Sequence, residues 1–222
     1  MLEIRELAVE AAGRRILEGV SLAIPAGEIH ALQGPNGSGK TSLALSIVGH
    51  PDYSIEAGDI RWNGESILNK KPHERARLGI HWLPQSVPAF EGVGLLSMAR
   101  AAADARGAKP DIFVLRSELA AALKRLGLSE DFLLRPLHGD SSGGEKKKIE
   151  LALSAVLKPE FLILDEVDAG LDAAGIAAAA DVIAEIAKNA AVLAISHSNA
   201  FLERLGVRRR YRMEAGKFIH EH

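Results

Sequence analysis

A mixed α/β fold with a mainly parallel sheet is predicted, and three stretches of the chain predict it. Ile29-His30-Ala31-Leu32-Gln33 and Phe161-Leu162-Ile163-Leu164 are short apolar runs of strand length. Each leads to a stretch of helical period, Ser42–Val48 after the first and about 173–188 after the second. Between the first run and its helix stands Gly34-Pro35-Asn36-Gly37-Ser38-Gly39-Lys40-Thr41, which matches G-x-x-x-x-G-K-[ST], the phosphate-binding loop.

The remaining elements follow in order. Residues 2–9 and 16–24 read as strands, and Pro25-Ala26-Gly27-Glu28 is a turn. Gly58–Trp62 is a short strand ending in the Asn63-Gly64 turn, and residues 80–84 form another, ending at Pro84-Gln85. Trp62 and Trp82 read as packing residues. From about 87 to 140 the chain is rich in alanine, leucine and charge at helical spacing, which predicts an inserted helical subdomain. The α/β pattern then returns, with a helix from about 144, the 161–164 strand and the helix from about 173. A strand at 191–196, a short helix and a hairpin near 207–220 complete the chain.

Composition narrows the partners. A chain of 222 residues fits one domain, and 47% hydrophobic content supplies a core. A net charge of −2 exerts no global pull on nucleic acid or anionic membrane. With no cysteine, thiolate nucleophiles and thiolate metal or cluster ligands are excluded, and a reducing compartment is suited. Met1–Glu6 lacks a basic-then-apolar signal, and no run of about 18 uncharged apolar residues spans a membrane. Direct membrane insertion is not expected, and where a membrane is involved a partner supplies it.

The loop carries the first chemistry. Gly34, Gly37 and Gly39 let the backbone curl around phosphates, and the helix behind presents N–H groups and a positive end. Lys40 is placed for the β/γ-phosphates and Thr41 for Mg²⁺, with Pro35, Asn36, Ser38 and Ser42 lining the same nucleotide site. The second carbon-rich strand ends in Asp165-Glu166. Asp165 is placed to hold Mg²⁺, and Glu166 to orient and deprotonate the attacking water. A capping pair at a strand end is the alternative for that dipeptide taken alone. Ser141-Ser142-Gly143-Gly144-Glu145 opens a helix with Ser142 23 residues before Asp165. It reads as a second anion site, which two chains packed head to tail would explain, or as a plain helix cap.

Together these motifs resemble the ATP-binding-cassette (ABC) ATPases over essentially the whole chain. The resemblance implies a phosphate-loop NTPase core with an antiparallel β subdomain, as one domain over 1–222. Residues 1–86 and 141–222 would form the nucleotide-binding α/β core and 87–140 the helical subdomain. It implies ATP and Mg²⁺ as cofactors, and hydrolysis at a site shared by two chains that pair transiently with ATP. Ser142, Gly143, Gly144 and Glu145 match the family signature, Leu-Ser-Gly-Gly-Gln, with Ser141 as the register alternative. Gln85 matches the glutamine that touches Mg²⁺ or the attacking water. Asp172 of Ala169-Gly170-Leu171-Asp172 would cross the dimer interface, and His197 matches the switch histidine at the γ-phosphate.

Within the family the chain is most similar to SufC-type ATPases of iron–sulfur cluster assembly. His30-Ala31, Gly49-His50-Pro51-Asp52-Tyr53, Gly143–Lys147 and Ile163–Asp172 carry that likeness, with Glu145 and Val167-Asp168-Ala169 where transporter cassettes have Gln and Pro-Thr-Ser/Ala. It implies a SufB- or SufD-like scaffold as partner. The alternatives are an ATP-binding subunit of a membrane transporter and a soluble nucleic-acid-associated cassette. Against the latter, Lys146–Lys148 and Arg208–Arg210 are short and carry no interleaved aromatics. Glu10-Ala11-Ala12-Gly13 stands where most cassettes stack an aromatic on adenine. The likeness also makes Glu166 an ion-pair partner for Lys147 at rest, the alternative being three solvated lysines.

Overall fold

The computed structural model describes residues 1–86, 92–136 and 141–221, the side chains of His220 and Glu221 excepted. The chain opens with β1 (Leu2–Ala11), β2 (Arg14–Ile24), β3 (Ile29–Gln33), α1 (Lys40–Val48), β4 (Ser54–Trp62) and β5 (Glu65–Ser66). Then come α2 (Pro72–Arg77), β6 (Ile80–Leu83), α3 (Leu95–Ala105), α4 (Ile112–Arg125) and a 3₁₀ turn at Glu130–Leu133. The last part runs α5 (Gly143–Leu157), β7 (Phe161–Asp165), α6 (Ala173–Ala187), β8 (Ala191–Ile195), α7 (Asn199–Arg204), β9 (Arg209–Glu214) and β10 (Lys217–Glu221).

Two sheets result. The first is antiparallel, in the order β2-β1-β4-β5; the second runs β10-β9-β3-β8-β7-β6. In the second sheet β9, β3, β8, β7 and β6 are parallel and only β10 is antiparallel. The central strands β7 and β8 are buried along their whole length, which is why they read as unbroken apolar runs.

Strand alternation divides the core. Leu162, Leu164, Val192 and Ala194 pack with the α3–α7 side, whereas Phe161, Ile163, Leu193 and Ile195 pack with α1 and the antiparallel sheet. Trp62 lies in the second of these cores, 6.0 Å from the Phe161 ring centroid. Fully burying one such side chain stabilises by roughly 1.5–3 kcal/mol, so the two clusters outweigh any single polar contact described below.

Helix α2 is absent from the sequence prediction. Its residues, Pro-His-Glu-Arg-Ala-Arg, have no apolar stripe, and its start signals are Pro72 at the first helical position and Glu74, whose carboxylate accepts from the Lys71 N–H at 2.8 Å. The helix delivers Arg75, which is buried and donates from Nη1 to the carbonyls of Ser46 and Ile47, both at 2.8 Å. A cation on the carbonyl end of α1 complements its dipole and fixes the helix behind the phosphate loop. The expected insert bounds, 87 and 140, lie outside the described residues; between them stand α3, α4 and the 3₁₀ turn.

Candidate functional site

The phosphate loop is built by close approach. Gly34 has φ +153°, and a Cβ there would collide with the Met213 carbonyl of β9. Gly39, at φ +108°, caps α1 with no side-chain hydrogen bond, and no acidic residue stands in the first turn. The N–H groups of Lys40, Thr41 and Ser42 therefore have no partner within the helix and face the loop. Lys40 is buried, and its ammonium curls back on the carbonyls of Gly34 and Pro35, both at 2.9 Å. Burial lowers its pKa, opposed by the Glu166 and Asp165 carboxylates. Ser38 Oγ is buried without a hydrogen-bond partner among the described residues, while Pro35, Asn36 and Gly37 are exposed.

Strand β7 carries Asp165 to the floor of this loop. It is 1% exposed and hydrogen-bonded to the Thr41 hydroxyl, and its Oδ2 has no partner among the described residues. Burial, with Glu166 next, pushes its pKa up against Thr41, Lys40 and Lys147. An orphaned buried carboxylate oxygen beside a hydroxyl suits a small, hard, oxygen-seeking cation. Glu166 follows at φ +53°, a left-handed conformation that a non-glycine residue adopts rarely and at some cost. Its Oε2 accepts from Gln85 Nε2 at 2.5 Å, and its Oε1 lies 3.4 Å from His197 Nε2. The structure thus brings Lys40, Thr41, Gln85, Asp165, Glu166 and His197 to one end of the parallel sheet, as strand polarity requires.

The signature residues are placed differently. Ser142 caps α5: its Oγ accepts from Glu145 N–H (3.3 Å), and its own N–H donates to Glu145 Oε2 (2.8 Å). That backbone N–H holds the Glu145 carboxyl below its usual range. A Cβ on Gly144 would press on the Gly170 carbonyl at 3.2 Å, so α5 begins hard against the 169–172 turn. Asp172 in turn caps α6, accepting from Gly175 N–H at 2.8 Å. The signature segment is a helix cap here, which its residues also allow.

Lys147 corrects one expectation. Its half-buried ammonium turns inward, but the partners are the backbone carbonyls of Glu166 (2.6 Å) and Ala169 (2.7 Å), not the Glu166 carboxylate. The left-handed bend at Glu166 turns its carbonyl towards α5 while the side chain goes to Gln85 and His197. Burial lowers the Lys147 pKa, opposed first by Asp168.

The sequence reading gave Asp168 and Ser196 no role in the site. Asp168 Oδ2 accepts from Ser196 Oγ at 2.9 Å, joining the turn after Glu166 to the segment that carries His197. Hydroxyl residues on both sides of His197 were the available signal. A cleft of about 730 Å³ opens beside Gly34, Pro35 and His197, walled by Gln33, Arg210 and Glu214.

The ABC transporter family profile matches residues 17–169. The chain belongs to the ABC ATPase family. Its activity is therefore ATP hydrolysis, on a fold shared with solved ATP-binding cassettes. It is 39% identical to the "probable ATP-dependent transporter ycf16" of Pyropia yezoensis, over 91% of this chain and 83% of that one. The structure of an "ATP binding subunit of ABC transporter" superposes over 100% of this chain and 89% of its own, with a TM-score of 0.87 and 27% identity. A dimeric ATP-binding cassette in a post-hydrolysis state bound to ADP and Pi has the same fold: TM-score 0.86, 17% identity, 100% of this chain and 98% of its own. Among the described residues no helix of this ABC ATPase is long and apolar enough to cross a membrane.

Proposed function

We propose that this ABC ATPase hydrolyses ATP at a site completed head to tail by a second copy, and that the cycle drives a SufB- or SufD-like scaffold of iron–sulfur cluster assembly in the cytoplasm. The observation that carries the reading is the grip of Lys147 on the turn bearing Glu166. A lone subunit with its catalytic turn held from the signature helix is suited to wait for a partner. The residues shared with SufC-type ATPases, Gly143–Lys147 and Val167–Asp172, support the identity of that partner. A second reading, an ATP-binding subunit serving separate membrane subunits, is favoured by the names of the relatives above.

In this mechanism Lys40 exchanges the Gly34 and Pro35 carbonyls for the β/γ-phosphates, which offer a charged acceptor in their place. Thr41, Asp165 and Gln85 are the residues that would hold Mg²⁺, which when bound neutralises phosphate charge. Glu166, already oriented by Gln85 and His197, takes the proton of the attacking water. His197 then donates towards the γ-phosphate, and Ser142 with the Gly143-Gly144 turn closes over the nucleotide of the other copy.

The test is affinity purification of the tagged full chain without detergent, followed by light scattering of Glu166→Gln with Mg-ATP. A cysteine-bearing soluble scaffold should co-purify, and ATP should hold the slowed variant as a dimer. Recovery only with membrane-embedded subunits would replace the scaffold with transport. A strictly monomeric Glu166→Gln protein, with scaffold and Mg-ATP both present, would remove the two-copy site.

A further inference from the structure

We propose that Asp168 is a positioning residue for His197, acting through the hydroxyl of Ser196. The proposal rests on the reading of His197 as the γ-phosphate contact. Ser196 is fully buried at the end of β8, and its Oγ makes two bonds at once. It donates to Asp168 Oδ2 at 2.9 Å and accepts from the Ser198 N–H at 3.0 Å. A hydroxyl has one proton, so committing it to a carboxylate fixes the rotor and aims a lone pair at that N–H. His197 is the residue between the two bonded positions.

The imidazole has little else to hold it. Its side chain is 50% exposed, with the Glu166 carboxylate 3.4 Å away. The backbone on either side therefore decides where the ring stands. On the amino side β8 is fixed, with the Ile195 carbonyl accepting from Glu166 N–H at 2.9 Å. On the carboxyl side Ser198 begins α7, its Oγ accepting from Phe201 N–H at 3.2 Å. The Asp168–Ser196–Ser198 relay ties these two anchors together across His197.

Asp168 is two residues beyond Glu166, in the turn whose carbonyls Lys147 grips. Its other oxygen, Oδ1, is buried and has no partner among the described residues, so Ser196 is the bond that orients the carboxylate. Any shift of the 166–169 turn is thereby delivered to the switch histidine as well as to the general base. Asp168 touches neither nucleotide nor reacting atoms in this scheme; its effect passes through the backbone of His197.

The experiment compares Asp168→Ala, Ser196→Ala, Asp168→Asn and His197→Ala in the full chain. ATPase kcat and KM are read together with amide hydrogen exchange at Ser198. Asp168→Ala and Ser196→Ala should each lower kcat about tenfold, with KM for ATP within about twofold and faster exchange at Ser198. Their double variant should be no worse than either alone, because both remove one relay. Asp168→Asn keeps an acceptor oxygen for Ser196 and should recover most of the lost kcat. Wild-type kcat in both alanine variants, or an asparagine variant as slow as alanine, overturns the relay. If Asp168→Ala does not fold, Ser196→Ala, which removes one oxygen, decides alone. Full hydrolysis by His197→Ala would instead remove the site reading on which the relay rests, so the two failures are distinguishable.

Discussion

The two ends of the nucleotide machinery handle their polar groups in opposite ways. At the phosphate-loop end the N-terminus of α1 has no side-chain cap, and Ser38 Oγ and Asp165 Oδ2 are buried without partners among the described residues. At the signature end Ser142 and Glu145 cap each other, Asp172 caps α6, and Lys147 satisfies two carbonyls. An unsatisfied buried polar group costs about 1–3 kcal/mol, a cost the phosphate-loop end carries until a ligand meets it. At the signature end the capping groups satisfy one another in the lone subunit, and Asp168 Oδ1 in the adjoining turn is the buried oxygen left without a partner among the described residues. The first is a half-site waiting for an anion and a cation; the second is a closed surface that must be presented to another molecule.

The sharpest way to break this comparison is to mutate both ends and measure nucleotide binding by the isolated chain. Lys40→Ala should weaken ATP binding roughly 10–100-fold, the value of a charge-assisted bond to phosphate. Ser142→Ala should leave that affinity within about twofold and instead lower stability by about 1 kcal/mol through loss of the cap. Equal losses of affinity at the two ends would show that the lone subunit already uses its signature.

A smaller effect concerns β6, the strand that leads to Gln85. Burial, helped by the Arg106 cation, lowers the His81 pKa to about 4, so the imidazole is neutral in the fold. The unfolded chain takes up the proton as pH falls through about 6.5, whereas the folded chain resists until about 4. Stability is therefore lost on acidification across that window, by about 2 kcal/mol between pH 7 and pH 5. Denaturant titrations at the two pH values should show this loss, and His81→Gln should flatten it. An unchanged slope in the variant would mean that β6 contributes no pH sensitivity and that the carboxylates of the two ends supply it.

The smallest effect is the release of the restraint. Lys147→Ala frees the carbonyls of Glu166 and Ala169 and should raise basal hydrolysis by the isolated chain a few-fold, worth about 1 kcal/mol. The rate with the partner present should stay much nearer the wild type. A basal rate that is unchanged or lower, in a variant that melts like the parent, would mean that the signature end is merely capped and restrains nothing.

What the sequence by itself determined is the set of locally encoded parts. Loop glycines with a lysine opening the next helix, and carboxylates closing a wholly apolar strand, are each written within a few residues, so the phosphate loop and the Asp165-Glu166 step were legible. So were the long strands and helices, whose periodicity repeats often enough to read. Short, charged α2 was not, because six residues without an apolar stripe have no period, which Pro72 and the first-turn Glu74 do not replace. The tertiary structure alone decided what depends on two segments meeting. It turned the Lys147 ammonium to the Glu166 carbonyl because a left-handed bend sends carbonyl and carboxylate in different directions. It placed Asp168 against Ser196, 28 residues away, because β7 and β8 are neighbours in the sheet and end side by side. Local pattern fixes which groups a segment offers; only strand order and backbone direction fix which of them meet.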